Sequence, residues 1–122
     1  MNPFIDEKSV GQVEGFDISA RLKPDYESSP DDSDCYDSEA IVAYRRNEWA
    51  YVTTEVIASK AGVELGHAYL GGSEYGWFPV DGESQFETPL DGEGDDFING
   101  YGPDLIAEAI ADAKATIKEI TA

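Results

Sequence analysis

Four acids crowd into residues 91–96 of the stretch LDGEGDDFING (90–100), with three glycines around them and no base. Acids at alternate positions are what a calcium loop supplies. Counted from Asp91, the acids Asp91, Glu93 and Asp95 fit that pattern. The sixth position is Asp96, where such a loop needs Gly, and the twelfth is Gly102, where it needs a bidentate Glu. The expectation is a solvated acidic loop whose glycines permit turns, and no metal or cofactor is assigned.

Other chemistry-bearing residues are sparse. His67 is the single histidine and Cys35 the single cysteine. A zinc site needs more nitrogen or sulfur ligands than these two supply. Asp34 and Asp37 flank Cys35 and oppose formation of a thiolate, so a nucleophilic role is not expected there. With 26 acids, carboxylate pairs arise by chance everywhere, so general acid–base work has no signature of its own. Neither a phosphate-cradling glycine loop nor a dinucleotide fingerprint occurs. An enzyme is the least supported class. Tyr75, Trp77 and Phe78 stand together among glycines in EYGWFP. Such rings are either core plugs or anchors for a partner.

The charge is the strongest feature: 26 acids against 8 bases, a net −18. Residues 24–44 carry seven acids and residues 61–113 carry twelve, and neither segment contains Lys or Arg. Direct binding to nucleic acid is not expected, because phosphate contacts need those bases. A basic partner is the electrostatic complement. A compact domain of this length is about 35 Å across, from a radius of gyration of about 14 Å. Duplex DNA carries roughly 20 charges over that length, so the two totals are comparable. An apolar content of 41% argues for a folded body despite the charge. A lone cysteine, no apolar leader and no membrane-length apolar run place the chain in a cytoplasm, without a membrane role.

These residues need elements to position them. Within one domain over 1–122, residues 1–14 read as an extended arm. Phe16, Ile18, Ala20 and Leu22 alternate with polar residues, which predicts a half-buried strand ended by Pro24. Residues 24–37 read as an acidic loop. A short helix follows, capped by Asp37 or Ser38 and ended at Asn47, with Ala40, Ile41 and Tyr44 inward. A hairpin spans 51–70, with Val63, Leu65, His67 and Tyr69 on one face and Gly71-Gly72 as its stop. Residues 71–102 read as a Gly-rich irregular excursion, with EYGWFPV extending the sheet or packing over its edge. Pro103 opens a final helix. Ile106, Ile110, Ala113, Ile117 and Ile120 form its apolar stripe, and Asp104, Glu108 and Asp112 an acidic ridge.

The predicted fold is α+β: a small antiparallel sheet of about three to four strands, covered on one face by two helices, in the order β-α-β-β-(β)-α. From the first helix onward this order echoes double-stranded-RNA-binding domains in topology alone. Asn47, Glu48, Trp49, Val52, Ala58, Gly62, Leu70, Gly71, Tyr75 and Tyr101 carry a further resemblance. Over about 60 residues the chain resembles a group of small acidic proteins of bacteriophages and related mobile elements. That resemblance implies an origin and a fold, and no catalytic residue transfers with it. The functional expectation is an interaction protein that inhibits a basic, nucleic-acid-binding host protein by imitating nucleic acid. Its expected surface is Asp31, Asp32, Asp34, Glu93, Asp95, Asp96, Asp104, Glu108 and Asp112, with Tyr75 and Trp77 as anchors. The alternatives are an acid-rich structural domain adapted to salt and, behind it, a calcium-dependent module.

Overall fold

The computed structural model describes residues 5–30 and 36–121. Five strands run side by side in chain order as one antiparallel sheet: β1 (Asp6–Val13), β2 (Phe16–Pro24), β3 (Trp49–Lys60), β4 (Val63–Val80) and β5 (Glu83–Glu87). Helix α1 (Ser38–Arg45) lies between β2 and β3, and α2 (Gly102–Thr121) ends the fold. The class is α+β, but the order is β-β-α-β-β-β-α and the sheet has five strands. Two of them fall where the sequence reading has none. Residues 6–13 of the expected arm pair with β2, and β5 falls within the expected excursion at 71–102; EYGWFPV (74–80) extends the sheet, one of its two expected placements, as the second half of β4.

One turn chemistry makes all three hairpins. Glu14-Gly15, Ala61-Gly62 and Asp81-Gly82 each connect directly paired strand ends, with positive φ at both residues. That conformation matches the twist of the flanking strands, and glycine takes its second position without steric cost. Asp-Gly at 81–82 is therefore the local signal for β5, and Glu-Gly at 14–15 the weaker one for β1.

Strand β3 is central and buried on both sides, so its alternation does not separate an inside from an outside. Its even-numbered residues Val52, Thr54, Val56 and Ala58 face α2 together with Phe16, Ile18, Ala20 and Leu22 of β2. Its odd-numbered Trp49 and Tyr51 face the other way and pack with Ala43 of α1, Tyr36, Tyr44 and Phe78. The two helices thus cover opposite faces, not one. Asp37 caps α1, its Oδ1 accepting from the Ala40 N–H at 2.9 Å. Trp49 is 2% exposed, and its Nε1 donates to the Ala40 carbonyl at 2.9 Å, tying α1 to the sheet.

Helix α2 sits on Gly66. A Cβ there would lie 2.0 Å from the Ala109 carbonyl oxygen and 2.4 Å from the Ala113 nitrogen. The helix backbone touches the strand backbone, which selects small residues on both sides: Ala58, Ala68, Ala109 and Ala113 are all buried. The apolar stripe is rotated accordingly. Leu105, Ala109, Ile110 and Ala113 make the core contact, Ile106 and Ile117 are half-buried, and Ile120 is 70% exposed.

Residues 88–101 close the remaining end of the α2 face. Leu90, Phe97 and Ile98 are buried plugs in the main core. Ile98, Asn99 and Gly100 all have positive φ. For a β-branched residue this is a strained conformation, accepted here because it delivers Ile98 to the core. Lys8 of β1 clamps the segment: its Nζ donates to the Leu90 and Gly92 carbonyls at 3.0 and 3.2 Å and lies over the Phe97 ring.

Two substitutions test this packing. Gly66→Ala is expected to lift α2 and cost about 3 kcal/mol, read as a lowered denaturation midpoint; an unchanged midpoint contradicts the close approach. Thr54 is fully buried, and its Oγ1 has no hydrogen-bond partner among the described residues. Thr54→Val is expected to raise stability by about 1 kcal/mol in the same urea titration, and a loss would show that the hydroxyl is satisfied.

Candidate functional site

Two charged constellations stand out. The first lies on the α1 face, beyond the reach of α1, where Glu55 projects from β3 with 2% exposure. Arg21 Nε and Lys23 Nζ from β2 reach its Oε1, the latter at 3.1 Å. His67 Nδ1 of β4 lies 2.9 Å from Oε2. Arg21 also grips Glu64 at 3.2 Å. A bulge at Leu65 turns Glu64 to this face beside His67 and Tyr69, while Leu65 packs toward α2. The expected single face of Val63, Leu65, His67 and Tyr69 is corrected in that way.

Burial by itself would raise the Glu55 carboxyl. Hydrogen bonds from Arg21, Tyr69 and Lys23, with the Arg21 charge, outweigh it and hold the pKa down to about 2. A carboxylate so engaged has few lone pairs left and little affinity for a proton, which suits a structural seal rather than a general base. Sequence spacing could not show this group, because its members come from three strands.

The second constellation is the acidic surface. Seven carboxylates and no base occur from Asp91 to Asp112. Residues 88–101 and α2 cover the same face of the sheet, through Leu90, Phe97, Ile98, Leu105 and Ala109. Their acids Asp91, Glu93, Asp95, Asp96, Asp104, Glu108 and Asp112 are all exposed, with Glu93 and Asp95 bordering β1 at Lys8 and Val10. A short 3₁₀ turn, Gly94–Asp96, presents Asp95 and Asp96. Asp112 accepts from the His67 N–H at 3.0 Å and so anchors the helical ridge along the outer edge of β4. Among the described residues, none of these seven acids has a base within ion-pair distance. Of the eight bases, Arg21 and Lys23 are held at Glu55, Lys114 at Glu14 and Lys60 over the Phe16 ring, while Lys8 lies within the acidic segment on the Leu90 and Gly92 carbonyls.

The structure therefore gathers Glu93, Asp95, Asp96, Asp104, Glu108 and Asp112 on one layer and adds Asp91. Asp31, Asp32 and Asp34 lie outside the described residues, as does Cys35. The two expected anchors part company. Tyr75 is half-buried against the core, whereas Trp77 is 54% exposed. Sequence reading missed Phe86 of β5, which pairs across from Trp77 at 5.5 Å between ring centroids and meets Tyr75 at 5.3 Å. Its cue is the Asp-Gly turn, which sets it opposite Trp77.

Beside these rings lies a cleft of about 570 Å³. One wall is the outer edge of β4 at residues 70–74, which β5 leaves bare because it pairs with Gly76–Val80 alone. The other is built from Phe86, Glu87, Thr88, Asp91, Asn99 and Tyr101. A bulge at Gly71-Gly72, pinned by Asp25 Oδ2 accepting from Gly72 N–H at 2.8 Å, interrupts the edge and blunts pairing with another strand. Burial pushes the Glu74 carboxyl up, its bond from Tyr36 Oη at 3.1 Å pulls it down, and the neighbouring Glu87 charge pushes it up again, leaving it raised.

No group of three or more His, Cys, Asp or Glu converges to hold a metal ion among the described residues. Among the same residues, no helix is long and apolar enough to cross a membrane. No family model matches the chain, and no curated protein or solved structure matches it significantly.

Glu55 and Glu74 give opposite pH dependences. Glu55 has a folded pKa below its ordinary 4.5, so its stabilisation is complete above that pH and disappears as pH falls toward about 2. Glu74 has a raised folded pKa, so its contribution is present below pH 4.5 and is lost as pH rises. Urea denaturation across pH 2–7 is expected to show that Glu55→Gln flattens the acid-side rise and costs about 3 kcal/mol at pH 7. Glu74→Gln removes a decline above pH 4.5. Parallel curves for Glu55→Gln and the parent would contradict the Glu55 assignment.

Proposed function

We propose that this protein is a non-catalytic binding protein whose acidic layer occupies a basic surface of another protein in the way nucleic acid does. The carrying observation is the run of exposed carboxylates from Asp91 to Asp112, none with a base in ion-pair distance among the described residues, on the two segments that cover one face of the sheet. Fixed charge on a folded body costs no ordering when it docks, and it steers association at low ionic strength. The resemblance to phage proteins supports a host protein as the partner and competitive occupancy of its nucleic-acid site as the mode of inhibition. The engaged state of Glu55 also supports a binding role, since the most perturbed carboxylate of the described chain is locked into the sheet.

Net charge alone would attract basic proteins, so position must be separated from amount. Two fourfold variants of equal charge do this. One carries Asp91→Asn, Glu93→Gln, Asp95→Asn and Asp96→Asn on the acidic layer. The other carries Asp17→Asn, Glu27→Gln, Glu39→Gln and Glu119→Gln, all exposed positions outside the 91–112 run. Displacement of duplex DNA from a lysine-rich histone, followed across a salt series, is the readout. The first variant is expected to lose roughly tenfold in potency at low salt and the second far less. Equal losses, or no displacement by the parent protein, would refute the reading.

A further inference from the structure

A concave place with exposed aromatic rings borders the acidic layer at Asp91: the cleft at the end of β5. We propose that this cleft receives an arginine side chain from a basic segment of the partner protein, a step that rests on the binding role above. Two observations lead there. Glu74, Glu87 and Asp91 line the cleft, and its lining contains no Lys or Arg, so it lacks an internal counter-charge. Two rings of its wall, Phe86 and Tyr101, are 45% and 55% exposed, and Trp77 at 54% continues the apolar surface beside Phe86.

The same observations discriminate between cations. A hydrated ammonium gains from the carboxylates but little from the rings. A guanidinium is more weakly hydrated, lies flat on an aromatic surface and offers a planar fork to a carboxylate. The volume of about 570 Å³ falls in the range of clefts that enclose a ligand-sized group. An incoming β-strand fits less well, because the Gly71-Gly72 bulge breaks the register of the bare edge.

Two blocked peptides of equal charge test this on the whole chain: four repeats of Gly-Arg and four repeats of Gly-Lys. Binding is followed at low salt by calorimetry and by tryptophan emission, in which exposed Trp77 responds and buried Trp49 stays silent. The Gly-Arg peptide is expected to bind about fivefold more tightly and to change Trp77 emission. Phe86→Leu keeps an apolar residue in place and removes the ring. It is expected to erase the arginine preference while leaving Gly-Lys binding unchanged. Equal affinity of the two peptides, or a preference that survives Phe86→Leu, overturns the arginine cleft and leaves the acidic-surface reading standing. Binding of neither peptide at low salt overturns both.

Discussion

The backbone contact between α2 and β4 at Gly66 is the constraint on which the other features depend. A helix resting on side chains stands about 10 Å from a sheet, as stacked layers generally do. Here a missing Cβ at Gly66 and alanines at 58, 68, 109 and 113 let the helix settle onto the strand itself. That approach sets the rotation of α2, and the rotation decides which residues point outward. It turns Leu105 and Ile110 into the core, leaves Ile120 in solvent and brings Asp112 to the His67 N–H. The acidic ridge is therefore held by packing underneath it, not by its own charge chemistry.

Self-repulsion makes this packing necessary. A net −18 on a body of this size works against the compact state. Like charges four residues apart on α2 weaken the helix by a few tenths of a kcal/mol per pair. The compensation is apolar and two-sided. The larger core lies between α2, residues 88–101 and the sheet, and a smaller aromatic core lies on the opposite face around Trp49. Between the helices' footprints, Glu55 draws in Arg21, Lys23 and His67. Two of the eight bases are thereby committed to one buried acid, and the outer layer keeps its unbalanced charge.

The division of labour within 88–101 follows from the same logic. Its apolar residues plug an open end of the sheet and its acids are displayed outward. The strained backbone at Ile98 and the Lys8 clamp both serve the plug. The segment whose acids alternate like a calcium loop covers that end of the core and carries those acids on exposed positions.

Much of this was legible in the residues. The alternation of β2, the Asp37 cap, the Asn47 terminus, the 61–62 turn and the existence of α2 all follow from local rules of hydrogen bonding, φ and periodicity. What local rules could not decide was anything requiring contact between distant segments. The faces of β3 were ambiguous because a central strand is apolar on both sides. The bulges at Leu65 and Gly71-Gly72 reassigned side chains because one inserted residue reverses the alternation. The Glu55 network, the rotation of α2 on Gly66 and the meeting of Phe86 with Trp77 join residues 9 to 47 positions apart. Composition thus settled how much negative charge the protein carries, while only tertiary packing decided where it is displayed and which rings stand beside it.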